Sequence, residues 1–106
     1  MKFIHEKNKI YVKDENDKII VLATFPFVSE NVINVDHTFV DPSMRGRGIA
    51  SLLMEEVYKH AKEHNYTVVN TCPYAVNWFK KHTDKQDVLN KDIKMDEACK
   101  ILWFYI

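Results

Sequence analysis

The chain is poor in the two residues that most readily bend or break a backbone. It has two glycines and three prolines in 106 residues, which excludes collagen-like sequence and long Gly- or Pro-rich linkers. Its two cysteines, Cys72 and Cys99, are too few for a disulfide framework. Reduced thiols and a cytoplasmic location are the simplest reading. Net charge is absent as well, because fifteen Lys and Arg balance fifteen Asp and Glu. That removes the bulk electrostatic case for a nucleic-acid or anionic-membrane partner. Lys80-Lys81-His82 is a local basic cluster and reads as a solvated face. No apolar run approaches a membrane span, and the opening MKFIHEKNKIYVKDE has no signal-peptide core. No repeat or low-complexity tract is visible. A length of 106 residues with 46% hydrophobic content implies one domain around one core. A charged stretch from Lys81 to Asp96 offers the one boundary, setting residues 91–106 apart as a C-terminal extension.

The scarce glycine is concentrated. Gly46 and Gly48 lie in Asp41 to Ala50, DPSMRGRGIA, together with the chain's only arginines, Arg45 and Arg47. A strand-like stretch precedes this segment and a helix-periodic one follows it. A glycine turn lets the main chain bend tightly and lets a ligand approach it. The first N–H groups of the following helix lack intrahelical partners and carry the positive end of the macrodipole. The segment is therefore a seat for phosphate or another anion, with two guanidinium groups at hand. The plainer alternative is a turn in which glycine only relieves strain. Neither GxxxxGK[ST] nor a GxGxxG with its downstream acid is present. The pattern that remains is R-x-x-G-x-A, at Arg45, Gly48 and Ala50.

Patterning orders the rest. Phe3 to Glu6 and Lys9 to Lys13 read as short strands joined by a Lys7-Asn8 turn. Asp14 to Asp17 is a turn, and Lys18 to Thr24 a buried strand. Phe25 to Glu30 contains a proline and closes a hairpin. Asn31 to Val40 is the longest strand, with Val35, His37 and Phe39 on one face. Ile49, Leu52, Leu53, Val57 and Ala61 then mark a helix over Gly48 to His64. Tyr66 to Asn70 is a strand and Tyr74 to His82 a second helix, with Tyr74, Trp78 and Phe79 covering the sheet. Strand, helix and strand imply a right-handed crossover between parallel strands. The expected fold is α/β with α+β character: a mixed, largely antiparallel sheet with a central βαβ crossover. Ligands of such sheets gather at the C-terminal strand edge, near Val40 and Thr71.

That edge also carries Cys72, followed by Pro73 at a helix start. A thiol there is either a nucleophile favoured by the helix N-terminus or a small buried hydrophobe. Cys99 reads as packing. His5, His60, His64 and His82 have no convincing metal spacing, so no metal site is expected.

The run from HTFV through MRGRGIASLLMEEVYKHAKEHNYTVVNTCPYAVNWFKKH resembles the small YjdJ-type branch of the GNAT N-acetyltransferase superfamily. There a His-Thr strand precedes the coenzyme loop, and a Cys-containing turn and short helix follow the next strand. The resemblance covers residues 3 to 90. It implies that acetyl-coenzyme A is the cosubstrate, its pyrophosphate on the backbone of Arg45, Gly46, Arg47, Gly48, Ile49 and Ala50. Phe39 and Val40 would pair with the pantetheine arm through main-chain atoms where two parallel strands splay. Larger relatives carry a helical segment between their first two strands, where this chain has only Lys7-Asn8, so the acceptor side is expected to be open.

Acetyl transfer to an amine needs a base, an oxyanion donor and an acid for the departing thiolate. His37 or a water is the candidate base in direct transfer. Cys72 is the candidate acyl carrier in a covalent route, and Tyr74 the candidate acid. The leading function is thus an N-acetyltransferase acting on a small amine or an exposed protein amine. The alternatives are a coenzyme A-binding or sensing module with little turnover and, more remotely, a cysteine hydrolase. Trp103, Phe104 and Tyr105 suggest packing or a dimer contact, hence a monomer or weak homodimer. In the C-terminal extension a short helix after Asp96 is expected, with an added strand over Ile101 to Ile106 as the alternative.

Overall fold

The computed structural model describes residues 1–92; Cys99, the expected helix after Asp96 and the aromatic group Trp103 to Tyr105 lie outside them. The chain begins with a meander. β1 (Ile4–His5) pairs antiparallel with β2 (Lys9–Lys13), and β2 with β3 (Ile19–Thr24). The DEND turn between β2 and β3 forms because Asp14 Oδ1 accepts from the N–H groups of Asn16 and Lys18, at 2.8 and 3.0 Å.

The expected long strand from Asn31 to Val40 does not exist as one element. It breaks at Asp36 into β5 (Val32–Val35) and β6 (His37–Val40), and the halves join different sheets. Thr24 accounts for the break: its carbonyl accepts the Asp36 N–H at 3.3 Å and its hydroxyl donates to the Asp36 carboxylate at 2.5 Å. This pulls the following residues onto β3, so β6 closes a four-stranded sheet ordered β1-β2-β3-β6. The segment expected to close a hairpin after β3 instead supplies a strand of its own, β4 (Phe27–Ser29). It pairs with β5 through a turn at Asn31, whose φ is +58°.

Helix α1 (Ile49–His64) leads into β7 (Thr67–Asn70), which runs parallel to β5 and completes a three-stranded sheet ordered β4-β5-β7. The crossover is therefore formed as the pattern predicts. Helix α2 (Pro73–Lys81) follows, then a 3₁₀ turn over Thr83–Val88.

The core lies between α1 and the sheets. Ile49, Leu53, Met54, Val57 and Ala61 of α1 are buried, as are Ile10, Val21 and Ala23 of the meander. Leu52, expected in that stripe, is half exposed, and His60 is buried in its place at 3% exposure. Tyr74 of α2 likewise stands exposed, while Ala75, Trp78 and Phe79 are buried. The charged stretch packs on the body as far as residue 90: Val88 is buried, Asn90 N–H donates to Val68 C=O at 2.9 Å, and Asp87 binds Tyr58 and Lys62 of α1 at 2.9 and 2.7 Å.

Candidate active site

The site begins where β5 and β6 part. Val35 C=O accepts from both Thr71 N–H and Cys72 N–H, at 3.1 and 3.0 Å, and is the last main-chain link before the gap. Beyond it β6 follows β3, while the chain after β7 turns into α2. Thr38 and Cys72 still meet across this gap, with Oγ1 and Sγ 3.4 Å apart. Cys72 is buried, and its carbonyl accepts from Val76 N–H at 3.0 Å in the first turn of α2.

The ladder decides which main-chain groups face the gap. Asp41 N–H donates to Ile20 C=O at 2.8 Å. Main-chain groups alternate along an antiparallel ladder, so those of Phe39, opposite Leu22, also turn towards β3. The groups of Thr38 and Val40 turn to the open edge. The Val40 carbonyl accepts there from Arg45 Nε at 3.1 Å. Of the two residues expected to pair with a ligand through main-chain atoms, Val40 turns those atoms to the open edge and Phe39 turns them to β3. Thr38 faces the same edge as Val40, and strand alternation back from Val40 is the signal that finds it.

The loop after β6 is held at its start. Asp41 accepts from Ser43 N–H at 3.1 Å and Ser43 O–H at 2.5 Å, and faces Lys18 at 3.5 Å. The Ser43 bonds hold its carboxyl below the ordinary carboxylate value. Gly46 and Gly48 then adopt φ of +84° and +70°, which disfavours any residue with a Cβ. A Cβ built on either would meet no atom within 4 Å, so the space before the loop is clear. Gly48 caps α1 with no side-chain hydrogen bond, and the first turn holds no acid. The N–H groups of Ile49, Ala50 and Ser51 thus open the helix without intrahelical partners.

A hollow of about 130 Å³ adjoins this loop, lined by Val40, Arg45, Gly46, Gly48, Ala50 and Tyr74 among others. Ile49 contributes to its wall while packing into the core. Arg47 is exposed and does not line it. Partial burial of the Tyr74 phenol against the hollow raises its pKa, so it is protonated at neutral pH. A second hollow, of about 260 Å³, adjoins the first across Ser51 and Tyr74 and runs along α2 past Asn77 and Trp78 to Lys81 and His82. Sequence patterning missed Ser51 and Asn77, whose residue types carry no signal until two helices bring them together.

His37 is not brought to this group. It is exposed, pairs with Thr24, and lies on the face of the sheet opposite Thr38 and Val40. His60 and His64 lie at the far end of α1. The described residues hold no His/Cys/Asp/Glu group suited to a metal ion.

The family model for GCN5-related N-acetyl-transferases matches residues 9–88. The NMR structure of a GCN5-like N-acetyltransferase candidate from Staphylococcus aureus is similar at 31% identity and a TM-score of 0.70, over 84% of this chain and 87% of that one. A Bacillus cereus acetyltransferase matches at 28% identity and a TM-score of 0.55, over 70% of this chain and 54% of its own. Rv2747 from Mycobacterium tuberculosis, solved in complex with CoA, shares the fold at 15% identity and a TM-score of 0.56, over 73% of this chain and 48% of its own. The chain thus spans most of the staphylococcal protein and about half of the larger two. It belongs to the GCN5-related N-acetyltransferase family.

Proposed function

We propose that this member of the GCN5-related N-acetyltransferase family transfers an acetyl group from acetyl-coenzyme A to a small amine or an exposed protein amine, by way of Cys72. The observation that carries the reading is the gap between β6 and the β7–α2 junction. It is bordered by the open main chain of Thr38 and Val40, the thiol of Cys72 and the glycine loop. The pyrophosphate fits the main-chain N–H groups from Gly48 to Ser51, because the space there is clear and both glycines turn the chain away from it. Arg45, already bonded to Val40, adds positive charge at the same place. The residue pattern supports assignment to the small YjdJ-type branch.

In this mechanism the Cys72 thiolate attacks the thioester carbonyl. The coenzyme thiolate departs and takes a proton from the Tyr74 phenol, which lines the adjoining hollow. The acceptor amine then attacks the acetyl-cysteine and expels the Cys72 thiolate, and the amine's proton passes through water to the Tyr74 phenolate, which restores both residues. His37, on the other face of the sheet, takes no part in this route. A second reading, a coenzyme-binding module with little turnover, is favoured by the three-residue link, Glu6 to Asn8, between β1 and β2, which leaves the acceptor side without a cover.

Incubation with acetyl-coenzyme A and no acceptor tests the covalent route. Peptide mass spectrometry is expected to find acetyl on Cys72, formed at least as fast as steady-state turnover. Cys72→Ala is expected to lower kcat by about a hundredfold or more, with coenzyme affinity nearly unchanged. Acetylation slower than turnover, or an active Cys72→Ala enzyme, would sink the covalent step and return the reaction to direct transfer.

A further inference from the structure

Cys72 opens α2, yet the helix does not hold its thiol. At this N-cap the side chain makes no hydrogen bond to the helix N–H groups. Pro73 has no N–H to offer, and the Val76 N–H is taken by the Cys72 carbonyl at 3.0 Å. Sγ turns instead across the gap to Thr38 Oγ1, 3.4 Å away, where either atom can donate. Among the described residues that hydroxyl is the thiol's one hydrogen-bond partner.

The fold aims both groups. The ladder sets Thr38 opposite the fully buried Ala23, so its side chain points to the core face of the sheet and away from the face of His37. Its β-branched side chain has little freedom at χ1. The Cys72 N–H donates to Val35 C=O at 3.0 Å, which ties the sulfur's backbone to the end of β5, just before β6 begins. Cys72 is 7% exposed and Thr38 is half-buried. In such a place a hydrogen bond to a charged sulfur is stronger than in water. The titratable groups nearby are Tyr74 of α2 and Arg45 of the loop, on the neighbouring hollow, and His37 of β6, on the other face.

We propose that Thr38 is a positioning residue for Cys72: its hydroxyl donates to the Sγ thiolate, holds it towards the gap and favours the nucleophilic form. The role in acetyl transfer rests on the covalent reading above, whereas the bond between hydroxyl and thiolate does not. The thiol's own proton leaves to water when the thiolate forms, and Thr38 keeps its proton throughout. The bond is present before attack. It weakens when Sγ bonds to the acetyl carbon, because the sulfur then loses its negative charge. It forms again when the amine expels the thiolate.

Alkylation by iodoacetamide over a pH series tests it, with no coenzyme present, and peptide mass spectrometry reads Cys72 separately from Cys99. Thr38→Val and Thr38→Ala both lack the hydroxyl. Each is expected to raise the pH midpoint of Cys72 alkylation by about one unit and to slow the reaction about tenfold at neutral pH. Thr38→Ser keeps the hydroxyl and should stay close to the wild type. An unchanged midpoint in either hydroxyl-free variant, folded by circular dichroism, overturns the proposal. So does a Thr38→Ser midpoint as high as that of Thr38→Val, because the effect would then follow packing rather than hydrogen bonding. Calorimetry with coenzyme A on the wild type decides the coenzyme reading by itself. No binding there removes that reading and leaves the thiolate bond standing, and binding with unshifted midpoints does the reverse.

Discussion

The two ends of α1 treat the same physical problem in opposite ways. At its start, main-chain N–H groups have no intrahelical partner, the cap is a glycine with no side chain to offer, and no acid sits in the first turn. At its end the protein satisfies its own groups. Asn65 takes the left-handed conformation at φ +57°, and its N–H bonds the carbonyls of Ala61 and Lys62. The His64 ring bonds the carbonyl of His60 at 2.9 Å. His60 is buried between His5, His64, Phe25 and Tyr66. One end leaves its main-chain groups open, and the other is closed by the chain itself.

The closed end is the more sensitive to acid. His5 Nε2 faces the Glu56 carboxylate at 3.0 Å, and His5 Nδ1 faces His60 Nδ1 at 3.1 Å. With both rings neutral, His5 donates to Glu56 and His60 donates to His5. That leaves His60 Nε2 buried and without a partner among the described residues. A second proton on His60 would have nowhere to bond. Burial first, then the neighbouring His64 and His5, push its pKa down to about 4, with Glu63 opposing. The unfolded chain, near 6.5, therefore takes up the proton first. The stability contributed by neutral His60 is complete above pH 6.5 and is lost as pH falls from 6.5 towards 4, by up to about 3 kcal/mol. Urea unfolding across that range is expected to show the slope, and His60→Leu to flatten it; an unchanged slope would separate acid sensitivity from this cluster.

The open end is expected to show a binding effect instead. Gly48→Val places a branched side chain at φ +70°, with strain of about 1–2 kcal/mol, and projects it into the clear ground before the loop. Coenzyme A affinity should fall at least about tenfold by calorimetry. Full affinity in a folded variant would remove the loop from the site. The smallest effect belongs to the closing cap. Asn65→Ala should cost about 1 kcal/mol in thermal unfolding, whereas Asn65→Gly, free at that φ, should cost little. Coenzyme affinity should be untouched by either. If Asn65→Ala weakens binding, the two ends of α1 are coupled through the helix and do not act independently.

The glycine turn, the helix from Ile49, the parallel crossover and the position of Cys72 at the strand edge were all legible in the sequence. Each rests on local features, such as two clustered glycines, helical spacing and a proline after a cysteine, that act within a few residues. The errors all involve distant partners. Val35 and His37 alternate in sequence as if on one strand, but Thr24 captures Asp36 and sends the two residues to different sheets. Leu52 has the residue type of a core position, yet the direction of α1 against the meander buries His60 and leaves Leu52 half exposed.

What the sequence by itself determined is the glycine turn with its open helix start, because positive φ and unpartnered helix N–H groups are local properties of a Gly-Arg-Gly turn at a helix start. What only the tertiary structure decided is the gap beside it. Whether β6 follows β3 or β7 depends on hydrogen bonds between residues far apart in the chain. That choice exposes the main chain of Thr38 and Val40 rather than Phe39, and brings Thr38 to Cys72. Strand pairing is settled by which partner captures the free edge, and no local pattern encodes that competition.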